Sequence, residues 1–428
     1  MKVAVIGGGV TGVTTAYALS RLGIGVTLYE RHAGPALETS FANGGQLSAS
    51  HAEAWTSWPN VRKGLLWMLR RDAPLLVRPS AGWHQLSWFA EFLAAIPRYE
   101  ETTVALARLA VAAREHLFSW AGEEGIGFDL RREGILHVCR DRAGFEHALR
   151  VSALLAQGGL QREAVTPAEM RAIEPALQGE FYGGFFTASD SSGDIHKFTA
   201  GLAAAAERRG VRVLCGHEVL ALDSAAASGV QVAALHGGER CGERFDAAVI
   251  CAGTASRALA ASVGDRVNVY PVKGYSITVS LNDEASRAAA PTVSLVDDAR
   301  KLVASRFGGK RLRVAGTAEF AGFDRTIRPE RIRPLVDWVQ NTFPAIRTDD
   351  TTPWAGLRPM TPAMLPKVGR GARPGIFYNT GHGHLGWTLA AATADIIAQQ
   401  VAASAAESVA QSSAIAYGER MRPPSRAA

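Results

Sequence analysis

The chain begins with a short apolar, β-branched run from Lys2 to Ile6, which breaks directly into glycines. Apolar residues then recur at helical spacing from Val13 to Leu22, and a second continuous apolar run, Gly25 to Tyr29, closes on Glu30. This predicts strand, glycine turn, helix, strand and acid, in that order. Within Gly7-Gly8-Gly9-Val10-Thr11-Gly12, Gly7 permits the tight turn, Gly9 lets the backbone approach a pyrophosphate, and Gly12 lets the helix pack close to the strand. Val10 and Thr11 stand at the helix N-terminus, whose free N–H groups and partial positive charge suit phosphates. Glu30, with Arg31 beside it, falls where a carboxylate accepts hydrogen bonds from an adenosine ribose. The pattern predicts a bound dinucleotide; the alternative is a tight turn without a ligand.

Past this unit the pattern changes character several times. Glu38 to Ser48 is small, polar and glycine-rich. It reads either as a surface loop or as a segment along a cofactor, with Thr39, Ser40, Gly45, Gln46 and Leu47 aimed at it. Residues 55–99 mix Trp55, Trp58, Trp67, Trp83 and Trp88 with Arg62, Lys63, Arg70, Arg71 and Arg78. Val61, Leu65, Met68 and Leu69 share one helical face there. That is an amphipathic helix on the core or an interfacial contact with anionic lipid.

Residues 100–160 predict helices with a strand at Gly134 to Val138. Phe181 to Thr187 predicts a strand, Lys197 to Arg209 a helix, and Val211 to Leu214 and His217 to Leu222 two more strands. Phe245 to Ile250 predicts a buried strand leading into the small-residue turn Cys251-Ala252-Gly253-Thr254. From 266 to 320 the period is two, including Val267 to Tyr270, which predicts a largely antiparallel sheet. Arg328 to Thr342 predicts a helix. Near the end come a strand at Ile376 to Asn379, the turn Gly381 to Trp387, a helix from Thr388 to Gln400, and an alanine- and serine-rich tail expected to be loose.

Composition narrows the class. With 428 residues, 47% of them apolar and 20% charged, the chain can bury the core of a two-domain globular enzyme. The net charge of +6 is mild, and no Lys/Arg-rich run marks a nucleic-acid patch. Cys139, Cys215, Cys241 and Cys251 show no CxxC spacing, which argues against a metal site and for a reducing compartment. No signal peptide is expected, and no apolar run reaches the length of a membrane span.

The expected fold class is α/β: a Rossmann-like nucleotide-binding domain (1–90, 166–265, 351–410) with an inserted antiparallel-sheet substrate domain (91–165, 266–350) and a flexible tail (411–428). Nucleotide-binding elements at both ends suit FAD better than NAD, because a long, permanently held flavin lets distant segments converge on it.

The chain resembles the FAD-dependent D-amino acid dehydrogenases of the small-subunit type, within the glycine oxidase and D-amino acid oxidase-like superfamily. The likeness rests on Gly7 to Glu30, Leu37 to Gln46, Lys63 to Met68, Glu174 to Leu177, Tyr270 to Ser276, Gly356 to Pro362, and Asn379 to Thr388. It implies non-covalent FAD and an arginine, Arg358, holding the substrate carboxylate. A planar guanidinium matches a carboxylate bidentately and stays charged; a structural ion pair is the alternative.

Further implications concern the walls of the site. Gly381 to Thr388 brings a helix N-terminus to the flavin, with Gly383, His384, Leu385, Gly386 and Thr388 as contacts. Val219 reaches the adenine, and Ala252 and Gly253 line the cofactor. Tyr275 either joins Arg358 at the carboxylate or packs, and Arg306 is a weaker candidate of the same kind. His51 and His384 depart from the family's tyrosine and threonine, and Ala363 from its aspartate. The first two put the preferred side chain in doubt and admit cyclic D-imino acids such as D-proline or hydroxyproline. The implied reaction is hydride transfer from Cα to FAD, with electrons passed to a quinone or another acceptor. The protein is expected in the cytoplasm, with a possible peripheral contact on the inner face of the membrane. Rival readings are an oxygen-using oxidase, an NAD-linked dehydrogenase, and a flavin-containing nucleic-acid-modifying or binding protein.

Overall fold

A computed structural model describes residues 1–67, 74–78, 82–225 and 229–420. Met68, Leu69, Arg70 and Arg71 of the amphipathic stretch lie outside the described residues, as do 421–428.

Two sheets organise the chain. The first has six strands, in the order Lys367–Arg370, Ile376–Thr380, Ala247–Ile250, Lys2–Ile6, Gly25–Tyr29 and Arg212–Leu214. All neighbours pair in parallel except the first two. Val5 sits opposite Val249 on one side and Leu28 on the other. Strands covered on both faces must be apolar throughout, and this is why they read as unbroken runs. Helices Val10–Arg21, Ile195–Arg208 and Gly386–Arg420 cover one face, joined by Tyr99–Glu123. The alanines of the last helix (Ala390, Ala391, Ala394, Ala398) let it lie close against Val10–Arg21. A three-stranded meander, His217–Ala225, Gly229–His236 and Glu239–Phe245, packs on the other face.

The second sheet has nine strands. Eight follow the order Thr351–Met360, Tyr270–Ser280, Arg311–Phe320, Leu302–Phe307, Ser294–Asp297, Ile135–Cys139, Gly183–Thr187 and Glu163–Val165, while Leu75–Val77 pairs off Arg311–Phe320. It is largely antiparallel; only the pairings of Ser294–Asp297 with Ile135–Cys139 and of Leu75–Val77 are parallel.

Several expectations need correction. Gly183–Thr187 and Thr351–Met360, placed by sequence in nucleotide-binding segments, hydrogen-bond within the nine-stranded sheet. Val267 to Val269 is not strand; pairing begins at Tyr270. The closing helix runs to Arg420, past the expected start of a loose tail, because alanine-rich sequence favours helix. The strands Gly229–His236 and Glu239–Phe245 were unforeseen. The second is exposed almost throughout, so it carries no apolar run to betray it.

Candidate active site

A cavity of about 690 Å³ lies between the two sheets, the size of a cofactor or drug-sized ligand site. One end is lined by Glu30, Arg31, Glu218 and Val219, the middle by Gly7, Gly9, Ala252 and Gly253, and the other end by Arg358, His51 and Trp55.

The nucleotide cradle follows from local sterics. A Cβ on Gly12 would lie 1.8 Å from the Gly7 carbonyl oxygen, so the helix can start here only on glycine. Gly7 itself has φ +110°, a region closed to side chains at low cost. The Glu30 carboxylate is fixed by two backbone donors: Gly8 N–H to Oε2 at 2.6 Å and His32 N–H to Oε1 at 2.8 Å. Arg31 pairs with Glu38 rather than with Glu30. The Val10 N–H donates to Ser40 Oγ at 3.0 Å, which leaves the Ser40 proton free to donate onward. A helix N-terminus, a fixed carboxylate and a hydroxyl along one cavity wall fit a dinucleotide.

Other hydroxyls on this wall are engaged by the protein. Thr39 Oγ1 donates to the Leu357 carbonyl at 2.8 Å, and Thr388 Oγ1 accepts the Ser48 N–H at 3.3 Å. Gln46 turns its amide to Ser294 and Leu295. These residues therefore line the cavity with backbone and side-chain flank. The catalytic and cofactor-binding candidates from the sequence all line the cavity except Gly12 and Leu47, which are buried away from it, and the weaker candidate Arg306; Ala363, which departs from the family pattern, does not line it either. Arg306 instead donates to the carbonyls of Ala290 and Gly309. Gly381, Gly383, Leu385 and Gly386 form the turn from which helix Gly386–Arg420 starts, and its N-terminus opens on the cavity.

Arg358 is placed by two irregularities. It stands opposite Val272 in the strand pair, and its guanidinium lies over Gly274. A Cβ on Gly274 would sit 2.4 Å from Cζ, so only glycine admits it. Opposite Gly274 the register slips between Lys273 and Tyr275, a bulge that takes in Thr317 at φ +57°. The bulge turns the Thr317 carbonyl to Arg358, which donates to it from Nη1 at 2.8 Å. No carboxylate pairs with Arg358 among the described residues. Desolvation pulls its pKa down to about 10, so it remains a cation at neutral pH.

Tyr275 also lines the cavity, but its hydroxyl donates to Glu319 Oε2 at 2.7 Å. Burial and this carboxylate push its pKa up. Its one proton is thus committed, which corrects the expectation that it joins Arg358. Tyr275→Phe is expected to keep kcat/KM for the enzyme's substrate within a few-fold. It should cost roughly 1.5–3 kcal/mol of stability, since buried Glu319 loses a donor. Chemical denaturation and steady-state kinetics check both.

His51 ends the short helical turn Ala49–His51. Asp190 holds that turn by accepting the Ala49 N–H at 3.1 Å and the Ser50 N–H at 3.0 Å. Burial lowers the His51 pKa to about 4, so its ring is neutral. His384 stacks on Trp55, with ring centroids 4.7 Å apart, and meets His51 edge-on at 5.5 Å. Trp55, Asp298, Lys301, Gly274 and Thr317 line the cavity without having been assigned from sequence. Trp55 stood inside a noticed tryptophan stretch. Asp298 and Lys301 sit on a strand turn that carries no signal.

Helices Trp58–Trp67 and Trp83–Ala95 line the cavity with Val61, Leu65, Phe89 and Phe92. Their outer faces expose Leu66 at 66% and Trp83 at 77%. Among the described residues no helix is long and apolar enough to cross a membrane.

The FAD dependent oxidoreductase (DAO) family pattern matches residues 2–400. The chain is 55% identical over 401 residues to D-amino acid dehydrogenase 3 of Mesorhizobium japonicum, covering 94% of this chain and 97% of that one. It is 44% identical to D-amino acid dehydrogenase of Paramagnetospirillum magneticum, over 94% and 95% of the two chains. Among solved structures, glycine oxidase from Geobacillus kaustophilus superposes with a TM-score of 0.70 at 21% identity, covering 93% of this chain and 94% of that one. L-proline dehydrogenase from P. horikoshii gives 0.69 at 17%, covering 93% and 92%. These two share the fold.

Proposed function

The chain belongs to the FAD-dependent oxidoreductase (DAO) family, and we propose that it is a D-amino acid dehydrogenase whose Arg358 binds the substrate carboxylate. FAD is its cofactor. The observation that carries the reading is the desolvated guanidinium facing the cavity without a carboxylate partner. A half-buried cation on a cavity wall with no anion beside it is costly unless a ligand completes it.

Bound FAD supplies a two-electron acceptor that takes the Cα hydride. The chain's own residues orient and desolvate. Arg358 keeps Nε and Nη2 free for a carboxylate while Nη1 is anchored on Thr317. That anchor fixes the fork and thereby the carbon attached to the carboxylate. Trp55 and Leu385 give the site apolar walls. With the amine neutral, its lone pair forms the C=N bond as the hydride leaves, and no base at Cα is required. The imine hydrolyses to a 2-oxo acid and ammonia, or remains as a cyclic imine when the substrate is an imino acid.

The electrons pass on to a quinone or another acceptor. The apolar mouth formed by Val61, Leu65, Phe89 and Phe92 supports this, and the exposed Leu66 and Trp83 outside it support a peripheral contact with the inner face of the membrane. Leu66→Ser with Trp83→Ser is expected to weaken co-sedimentation with anionic phospholipid vesicles by at least roughly tenfold, since each large apolar side chain contributes about 1.5–3 kcal/mol when buried. Turnover with a soluble dye should be unchanged. Equal vesicle binding by the double variant would refute the contact.

The function itself is tested by assaying 2-oxo acid and ammonia with an artificial acceptor over a panel of D- and L-amino and imino acids. Turnover of D-substrates is expected. A preparation active only on L-enantiomers would reject the proposal.

A further inference from the structure

A pair of opposite charges on the cavity wall takes no part in the chemistry above. Asp298 and Lys301 lie on the turn between strands Ser294–Asp297 and Leu302–Phe307. The Thr317 bulge brings this turn to the carboxylate site. The Thr317 N–H donates to the Lys301 carbonyl at 3.4 Å, while the Thr317 carbonyl holds Arg358. His137 fixes one oxygen of Asp298, its Nδ1–H donating to Oδ2 at 3.0 Å, and its ring lies 6.0 Å from that of His51. The other oxygen, Oδ1, has no hydrogen-bond partner among the described residues. Lys301 Nζ stands 3.8 Å from it, too far to donate directly. Both side chains keep accessible surface, 38% for Asp298 and 43% for Lys301. Desolvation works against the Asp298 charge, but the His137 hydrogen bond and the Lys301 cation outweigh it, and the carboxyl stays well below its usual range.

We propose that Asp298 and Lys301 select substrates by their side chain, receiving a neutral polar group, a hydroxyl or a carboxamide, that donates to Asp298 Oδ1 and accepts from Lys301 Nζ. The proposal rests on the function given above and names the substrate class within it. An acceptor and a donor 3.8 Å apart, unbonded to each other, suit a group that is both. A cationic side chain would meet Lys301 and an anionic one Asp298. An apolar side chain would cover both charges and give neither a partner. The α-amine does not suit this place. A carboxylate against it would hold it as the ammonium, which has no lone pair to form the C=N bond. With the substrate carboxylate on Arg358, a polar tip held on the adjoining turn fixes a second point, and Cα is oriented between the two. Asp298 and Lys301 touch substrate in this scheme and set selectivity; they move no proton.

Pairs of near-isosteric substrates test this: D-serine against D-2-aminobutyrate, D-asparagine against D-leucine, and cis-4-hydroxy-D-proline against D-proline. A site built to hydrogen-bond a substrate group rejects the analogue that lacks it, because its own polar groups are then left unpaired. The wild-type enzyme should favour the polar member of at least one pair in kcat/KM, by roughly 10- to 100-fold, as expected for a hydrogen bond to a charged group. Asp298→Ala and, separately, Lys301→Met should bring that ratio to within about threefold of one, with flavin content matching wild type. Lys301→Met leaves the partner of His137 in place, so it decides alone if the Asp298 variant does not fold. A wild-type enzyme that favours the polar member of no pair would overturn the proposal. So would a ratio that either folded variant leaves intact, including one in which both members of the pair are slowed alike. Turnover of D-amino acids as a class reports on the function; only the ratio within a pair, and its collapse, reports on Asp298 and Lys301.

Discussion

Arg358→Ala is expected to give a folded, yellow protein whose kcat/KM for D-amino acids falls by roughly 10²- to 10³-fold or more. Removing one partner of a desolvated ion pair costs about 3–5 kcal/mol, and each ~1.4 kcal/mol is a factor of ten in rate. The flavin should stay because the nucleotide cradle belongs to the six-stranded sheet, whereas Arg358 stands on an edge strand of the other. The ligand-free variant should melt no lower than wild type. The guanidinium has one backbone acceptor and no charged partner among the described residues, so its removal deletes a desolvated cation. Arg358→Lys should fall between the two, since it keeps the charge and loses the fork. Steady-state kinetics, visible absorbance and thermal melting decide the matter. Near-normal kcat/KM in the alanine variant would remove Arg358 from the site.

Gly12→Ala is expected to purify without flavin and with lowered stability. The added methyl would need the space 1.8 Å from the Gly7 oxygen, which belongs to backbone and cannot swing aside. The Gly7 turn is hemmed in on its other side too, where a Cβ on Gly7 would meet the Cys251 oxygen at 2.7 Å. Helix Val10–Arg21 must therefore tilt or slide off the sheet. Such overpacking costs typically 1–3 kcal/mol, and it also displaces the N–H groups that face the pyrophosphate. The ratio of flavin to protein absorbance and the denaturation midpoint measure both effects. A yellow Gly12→Ala protein of normal stability would show that the turn has slack.

The first thirty residues were legible because their chemistry is local. A buried parallel strand needs an apolar run, the turn needs glycine, and the ribose needs an acid about a strand and a helix further on. The parallel core at Ala247–Ile250 and Ile376–Thr380 was legible for the same reason. What resisted reading depended on partners distant in sequence. Gly183–Thr187 has the pattern of any buried strand, and only its pairing with Ile135–Cys139 assigns it to the second sheet. Tyr275 carried a plausible hydroxyl, but its fate was decided by Glu319, 44 residues on. The bulge at Thr317 left no mark in composition, because Thr is ordinary in strands and only its φ sets it apart. His51 and His384 stood out as departures from the family pattern. Their meeting over Trp55 needs the C-terminal turn folded against the chain after Ser48.

The most direct measurement is anaerobic mixing of the purified holoenzyme with D-alanine and with L-alanine while the visible absorbance of the flavin is followed. The colour should fade with D-alanine, one 2-oxo acid forming per flavin, and should persist with L-alanine and in Arg358→Ala over the same interval. A flavin that dithionite bleaches but no D-amino acid does, or one that D-alanine bleaches equally fast in Arg358→Ala, would contradict the account.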